Sequence, residues 1–488
     1  VDRCAYRLSG ASGSQTMLTQ DLSSSRQSKR PLGSIFAVTV LGPLVLQIVL
    51  AQLNISDGCS EFTANVFSIT VALACWFFAG SLCFAPILGK RVFLLLTVLV
   101  LVRLCANYTH FYLIFAPLAN IGSSNELAHA DFTGDLGVQY NAALVFVDTL
   151  RTEGWLYALF GDYYRAINNP GVSIVFGTLM SSFGEYGTVA IPWLVVYSGF
   201  SALMFGLVAR GMGLGAKLST RVIVLVFMMP VFYISPPLYR DIFIIFLLGL
   251  TAYTALELRS SSVLMIAPFL IGESLLLFSL RLVYLLLPAA YASIALFLNT
   301  PLNWRVASRW LVFAILGAVV VTAGWGFIGN EFTHFLDRSG DALESDQAAF
   351  SILAPFKAMG PLAFYPAASV FAVLAPMPWW QPIEPSLLSY QVFSYAQTWY
   401  GLTIIIATYR SWKRRLLPEG GSLMITYYLI IFYLAIFGSL NFGFGYFQIA
   451  LPFLIVASIR YLSRNWVYCL KISTLIVTGT HLFLWARQ

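Results

Sequence analysis

Residues 65–118 read NVFSITVALACWFFAGSLCFAPILGKRVFLLLTVLVLVRLCANYTHFYLIFAPL. Two apolar runs, 65–88 and 92–118, flank a Gly-Lys-Arg turn. Crossing a bilayer core takes about 20 mostly apolar residues, so each run is long enough to cross, and the turn leaves two cations at one membrane face. The rest of the chain repeats this design. Of its 488 residues, 59% are hydrophobic and 10% charged, against about 25% charged in soluble domains. So little polar surface cannot cover a soluble core of this size. A soluble enzyme and a nucleic-acid-binding module are both excluded; the net charge of +7 is scattered in short basic groups between apolar runs. The six cysteines contain no CxxC and predict neither a disulfide framework nor a zinc site.

Apolar runs near 34–53, 65–88, 92–118, 187–209, 222–238, 242–257, 262–279, 282–299, 310–329, 395–409, 422–440, 443–459 and 467–485 predict an all-α, polytopic integral membrane protein with about thirteen transmembrane helices. Residues 1–33 are polar and Ser-rich and predict a disordered tail; residues 34–488 form one transmembrane domain. No small-residue cleavage site follows the first apolar run, which is therefore expected to stay in the membrane. Segment 351–380 is apolar but carries five prolines, so a broken or interfacial piece is expected there.

Charge fixes the expected orientation. With the tail in the cytoplasm, inner segments hold 19 of the 28 Lys and Arg residues, and outer segments hold 16 of the 21 Asp and Glu residues. Basic residues inside is the usual bias. Counting 351–380 as a full span would move the basic loop at 410–415 outside. Two long outer regions result, about 119–186 and 330–394, and short interfacial helices are expected in both. The inner loops are short and contain no GxxxxGK[ST], so any chemistry is expected on the outer face of a bacterial cytoplasmic membrane.

The outer stretch 129–148, HADFTGDLGVQYNAALVFVD, places Asp131 and Asp135 beyond the third span. A carboxylate at a water–lipid boundary can serve as a general base toward a hydroxyl, because partial burial raises its pKa; the plain alternative is a solvated loop acid or helix cap. The amphipathic run from Tyr140 puts Asp135 at the N-terminal edge of an interfacial helix. His129 with Asp131 and Asp135 leaves a divalent metal open, without a fourth ligand at telling spacing. NNPG at 168–171 is a turn before a short apolar helix expected at the membrane surface. Arg240, beside Asp241, and Arg281 fall at outer-interface depth, where a guanidinium can hold a lipid phosphate bidentately. Lys357 is a third cation able to meet an anion, and Trp379 and Trp380 read as interface anchors. Arg103 and Glu273 lie within apolar runs, where ionisable groups are costly and point to function; Glu273 is a possible partner for Arg281.

The order of these features resembles bacterial polytopic glycosyltransferases of the GT-C type, particularly those found with polysaccharide genes. The resemblance rests on GDLGVQYNAA (134–143), NNPGVSIVFGTLMSSFG (168–184), PPLYRDIFIIFLL (236–248) and PMPWW (376–380), covering roughly 130–250 and 350–460. Each motif is degenerate alone. The resemblance implies sugar transfer on the outer face from a polyprenyl-phosphate-linked donor to a glycan or lipid-linked acceptor. Asp135, or else Asp131, would be the base, and Arg240, Arg281 and Lys357 would hold the lipid phosphate. One departure stands: relatives often carry an Arg in a late Gly-rich segment, whereas NFGFGYFQIALP (441–452) has none. Rival readings are an oligosaccharide repeat-unit polymerase, which would need more outer-loop arginines, and a lipid-linked saccharide flippase or transporter, which would favour internal repeats.

Overall fold

The structure is a computed structural model that describes residues 32–53, 58–118, 135–160, 170–234, 240–258, 263–281, 284–299, 388–439 and 448–486. Helix makes up 90% of it, with no strand among the described residues. In chain order the helices are α1 (Leu32–Gln52), α2 (Glu61–Leu88), α3 (Lys90–Phe115), α4 (Asp135–Glu153), α5 (Trp155–Phe160), α6 (Pro170–Phe183), α7 (Ile191–Gly211), α8 (Ala216–Phe227), α9 (Val231–Ile234) and α10 (Asp241–Glu257). They continue as α11 (Val263–Leu280), α12 (Leu287–Asn299), α13 (Leu388–Lys413), α14 (Gly421–Ser439) and α15 (Leu451–Trp485).

Among the described residues, four helical runs are long and apolar enough to cross a membrane: α1, α2, α3, and α7 with its leading 3-10 turn, Gly187–Gly211. Shorter apolar helices include Gly171–Phe183, Met265–Leu280, Leu287–Leu296 and Gly421–Leu434. The expected count of about thirteen is not confirmed by these helices, and the run at 310–329 and the proline-rich 351–380 lie outside the described residues. The expected span at 222–238 is also interrupted: α8 stops at Phe227, and Pro230, which has no N–H to give, separates it from α9.

Local chemistry sets the ends. Ser60 caps α2 by accepting the Thr63 N–H, and Glu61 sits in the first turn, where an acid suits the helix dipole. The run Leu451–Trp485 contains one non-helical residue, Asn465. Hydrogen bonds resolve it into two arms. Along α13, Thr408 and Ser411 donate to the carbonyls of Leu454 and Ser458 in the first arm, so those two run parallel. Thr403 pairs with Ser473, and Arg410 donates to the Tyr468 hydroxyl, so the second arm runs antiparallel. The chain therefore turns back at Asn465, between the expected runs 443–459 and 467–485.

α7 forms the centre: nearly every side chain from Ile191 to Ala209 is buried. Aromatic rings fix its neighbours. Trp76 of α2 stacks on Phe93 and Phe200, and its indole N–H donates to Thr97. Tyr197 and Phe200 meet Phe243 and Phe246, so α10 runs parallel to α7. Tyr291 and Tyr427 stack at 3.7 Å, each donating its hydroxyl to the other's carbonyl. The start of α2, the end of α3, the start of α7, the start of α10 and the end of α11 share one end of the bundle, called here the upper end. The basic groups Arg410, Lys413, Arg414, Arg415, Arg460 and Arg464 lie at the other, lower end.

α6 lies across the upper end. Gly171 abuts Ser279 near the end of α11, while Phe183 packs edge-on against Phe67 and Gly184 reaches Ala64 in α2. A 14-residue helix is about 21 Å long, enough to run from α11 to α2. α4 then packs on α6 through Phe146, which occupies the space where a Cβ on Gly177 would fall.

Close packing yields a direct test. A Cβ at Gly199 would sit 2.5 Å from the Trp76 ring, which its stacking partners and Thr97 hold in place. Gly199→Ala is expected to cost about 1–3 kcal/mol, read as a lower thermal unfolding midpoint of the detergent-purified protein. Gly479→Ala, with open space at its Cβ, is expected to leave the midpoint unchanged or raise it.

Candidate functional site

The upper end carries a connected polar network. Glu61 Oε1 accepts from the Tyr112 and Thr188 hydroxyls, each at 2.9 Å. Asn65 Nδ2 donates to the same two oxygens at 3.1 Å, and the Tyr108 hydroxyl reaches Asn65 Oδ1. Side chains from α2, α3 and the turn before α7 are thereby locked together. In an apolar setting such groups are stable only when they satisfy one another.

α4 stands beside this network. Its buried face carries Tyr140, Ala143, Phe146 and Val147, a helical spacing. The Tyr140 hydroxyl donates to the Glu185 carbonyl at 2.7 Å. Burial pushes its phenol well above the usual range, with the charges of Glu185 and Glu61 adding to the effect, so it stays a neutral donor. Arg151 of the same helix pairs with Glu185; this bond is exposed and contributes little to stability.

Below α6 lies a mostly apolar cavity of about 90 Å³, lined among others by Leu44, Gln47, Leu179, Trp193, Phe243 and Leu280. Its rim includes the partly exposed Val40, Leu44 and Leu276, next to the exposed Leu41, Val45 and Leu275. The cavity therefore opens between α1 and α11 toward the apolar outside of the bundle. It is smaller than the cavity of about 150 Å³ that holds benzene, so it admits one end of a chain rather than a whole lipid. The Trp193 Nε1–H on its wall is buried with no partner among the described residues.

Next to Leu280 and Phe243, Arg281 meets Asp241 at 3.0 Å, both side chains largely buried. This corrects one expectation: Arg281 is held by Asp241. Glu273 instead accepts from Thr254 at 2.6 Å on α10, two turns deeper. Arg240 occupies the cap position of α10 and is half-buried. Arg240 and Arg281 thus fall at one corner, where Asp241 pairs with Arg281.

The expected helix start at Asp135 coincides with the first residue of α4. Asp131, His129 and Lys357 lie outside the described residues. Arg103 is fully buried, lies over the rings of Phe227 and Phe232, and donates to the Phe232 carbonyl. Sequence reading passed over Glu61, Asn65, Thr188 and Gln47. The available signal was a cluster of polar residues in the first turns of an otherwise apolar run at 61–65. Among the described residues, no three His, Cys, Asp or Glu side chains gather as a metal site would require.

The corner pair gives a second test. Asp241→Asn leaves the Arg281 charge without its carboxylate in a largely buried place, at a cost of roughly 3 kcal/mol. A drop in thermal midpoint is expected, with partial recovery in Asp241→Asn/Arg281→Gln, where neither charge remains.

Comparison with known protein families, curated proteins and solved structures finds no match to the chain.

Proposed function

We propose that the chain is a membrane glycosyltransferase that moves a sugar from a polyprenyl-phosphate-linked donor to a glycan or lipid-linked acceptor at the upper end, taken as the outer face of a bacterial cytoplasmic membrane. The observation that carries this reading is the cavity under α6. It is mostly apolar, its rim includes partly exposed side chains of α1 and α11, and its lining residues Phe243 and Leu280 are close in sequence to Asp241 and Arg281, which pair with each other. A polyprenyl chain needs such an entry, and its phosphate needs a cation at the end of it. The collection of basic groups at the lower end agrees with a cytoplasmic location for that end.

In this proposal an acid of the outer segment takes the proton of the acceptor hydroxyl: Asp135, which starts α4 at the end of α6 away from Arg281, or Asp131. The hydroxyl oxygen bonds to the sugar's anomeric carbon as the bond from that carbon to the phosphate oxygen breaks. Polyprenyl phosphate leaves with the electron pair, and the proton remains on the acid's carboxyl. Arg240 and Arg281 offset the charge developing on the leaving phosphate; Lys357 and Asp131 stay candidates for the same two roles. A divalent metal at His129, Asp131 and Asp135 is not needed for this balance. The flippase or transporter reading draws on one observation, the fully buried Glu273, since carboxyls within a membrane often mark ion pathways.

The test is surface-polysaccharide synthesis in a deletion strain complemented with wild type or Asp135→Asn at matched membrane levels. Loss of the glycan in the Asn variant, with the lipid-linked precursor accumulating, is expected. Full activity would shift the base to Asp131. An unchanged glycan profile in the deletion strain would end the transferase reading.

A further inference from the structure

At the lower end, the fold collects charges that are far apart in sequence. α13 ends with Arg410 and Lys413, followed by Arg414 and Arg415; the turn of α15 brings Arg460 and Arg464 alongside. The placement is fixed: Arg414 lies over the Tyr461 ring at 5.4 Å, and Arg410 both lies over the Tyr468 ring and donates to its hydroxyl. Among the described residues no carboxylate pairs with any of these six cations. Aromatic faces, not acids, hold Arg410 and Arg414.

The backbone supplies an independent observation. α13 closes with the Leu416 N–H on the Ser411 carbonyl and the Arg415 N–H on the Trp412 carbonyl. This closure puts Arg415 at φ 54, the one non-glycine residue with positive φ among those described. Glycine is the usual occupant of that position because a side chain there is strained. Here a cation stands in its place, adding charge to a cluster already repelling itself. Strain kept at such a point indicates a use for the side chain. Around the cluster, Tyr409, Trp412 and Tyr468 are exposed, as residues at a headgroup layer are.

We propose that Lys413, Arg414, Arg415, Arg460 and Arg464 form a binding site for the phosphate headgroups of anionic phospholipids. Simple topogenic charge would not need the left-handed arginine or the aromatic brackets. The proposal does not depend on the glycosyltransferase reading.

The experiment is native mass spectrometry of the full chain in mild detergent, titrated with cardiolipin, phosphatidylglycerol or phosphatidylcholine. Wild type is expected to retain both anionic lipids over phosphatidylcholine. Arg415→Gly removes charge and strain together, so its thermal midpoint should equal or exceed that of wild type while anionic-lipid affinity falls about fivefold. Lys413→Gln/Arg415→Gly should lose roughly twenty-five-fold. Equal retention of all three lipids, displacement of bound lipid by millimolar inorganic phosphate alone, or undiminished affinity in a folded Arg415→Gly protein would each overturn the proposal.

Discussion

Inside a bilayer no water completes a broken hydrogen-bond ladder, so every interruption of a spanning helix must be repaired by the protein itself. The interruption between α8 and α9 sets that demand most sharply. Pro230 breaks the run, and three side chains from other helices mend it. The Val231 N–H donates to Gln397 Oε1 at 2.9 Å. The Phe232 carbonyl accepts from Arg103. The Leu225 carbonyl accepts from the Tyr400 hydroxyl at 2.6 Å. The Phe232 carbonyl is open to Arg103 because the residue four positions on, Pro236, has no N–H to give it, and the Phe227 and Phe232 rings lie over the guanidinium. An intramembrane cation and a helix break thus solve each other's problem.

The upper end is positioned by α7: α10 packs along it through Tyr197 and Phe200 against Phe243 and Phe246, which sets where Arg240 and Asp241 fall. Asp241 pairs with Arg281, next in sequence to Leu280, which lines the cavity beneath α6. α6 in turn can lie flat only because Gly171 and Gly177 let Ser279 and Phe146 approach its backbone closely. On the opposite side, Glu61, Asn65 and Thr188 lock α2, α3 and α7, giving α4 a fixed neighbour. The floor, roof and rim of the candidate site are therefore built by different interactions: apolar packing, close backbone approach and satisfied polar contacts.

Much of the helical design was legible in composition and run length. The Gly-Lys-Arg turn at 89–91 separates α2 from α3 as expected, and a short apolar helix follows NNPG as α6, largely buried. Asp135 begins a helix because polar loop residues give way there to the apolar spacing of Tyr140, Ala143, Phe146 and Val147. What could not be read was pairing. Glu273 and Arg281 are eight residues apart on one strand of sequence, which suggested a partnership; the actual partners, Thr254 and Asp241, come from α10 because that helix runs antiparallel to α11. The interruption at Pro230 was hidden inside a window that is apolar on average. The role of Gln397 was invisible because its target, the Val231 N–H, is exposed only by that interruption.

The most direct measurement is photocrosslinking. Membranes containing the full chain would be incubated with a polyprenyl phosphate that carries a photoactivatable group in its isoprenoid chain, irradiated, and mapped by peptide mass spectrometry. The account predicts label on α1 near Val40–Gln47 and on α11 near Leu276–Leu280, competed by unlabelled polyprenyl phosphate. Label spread over the outward faces of α2 and α3, or no competition by the unlabelled lipid, would contradict it.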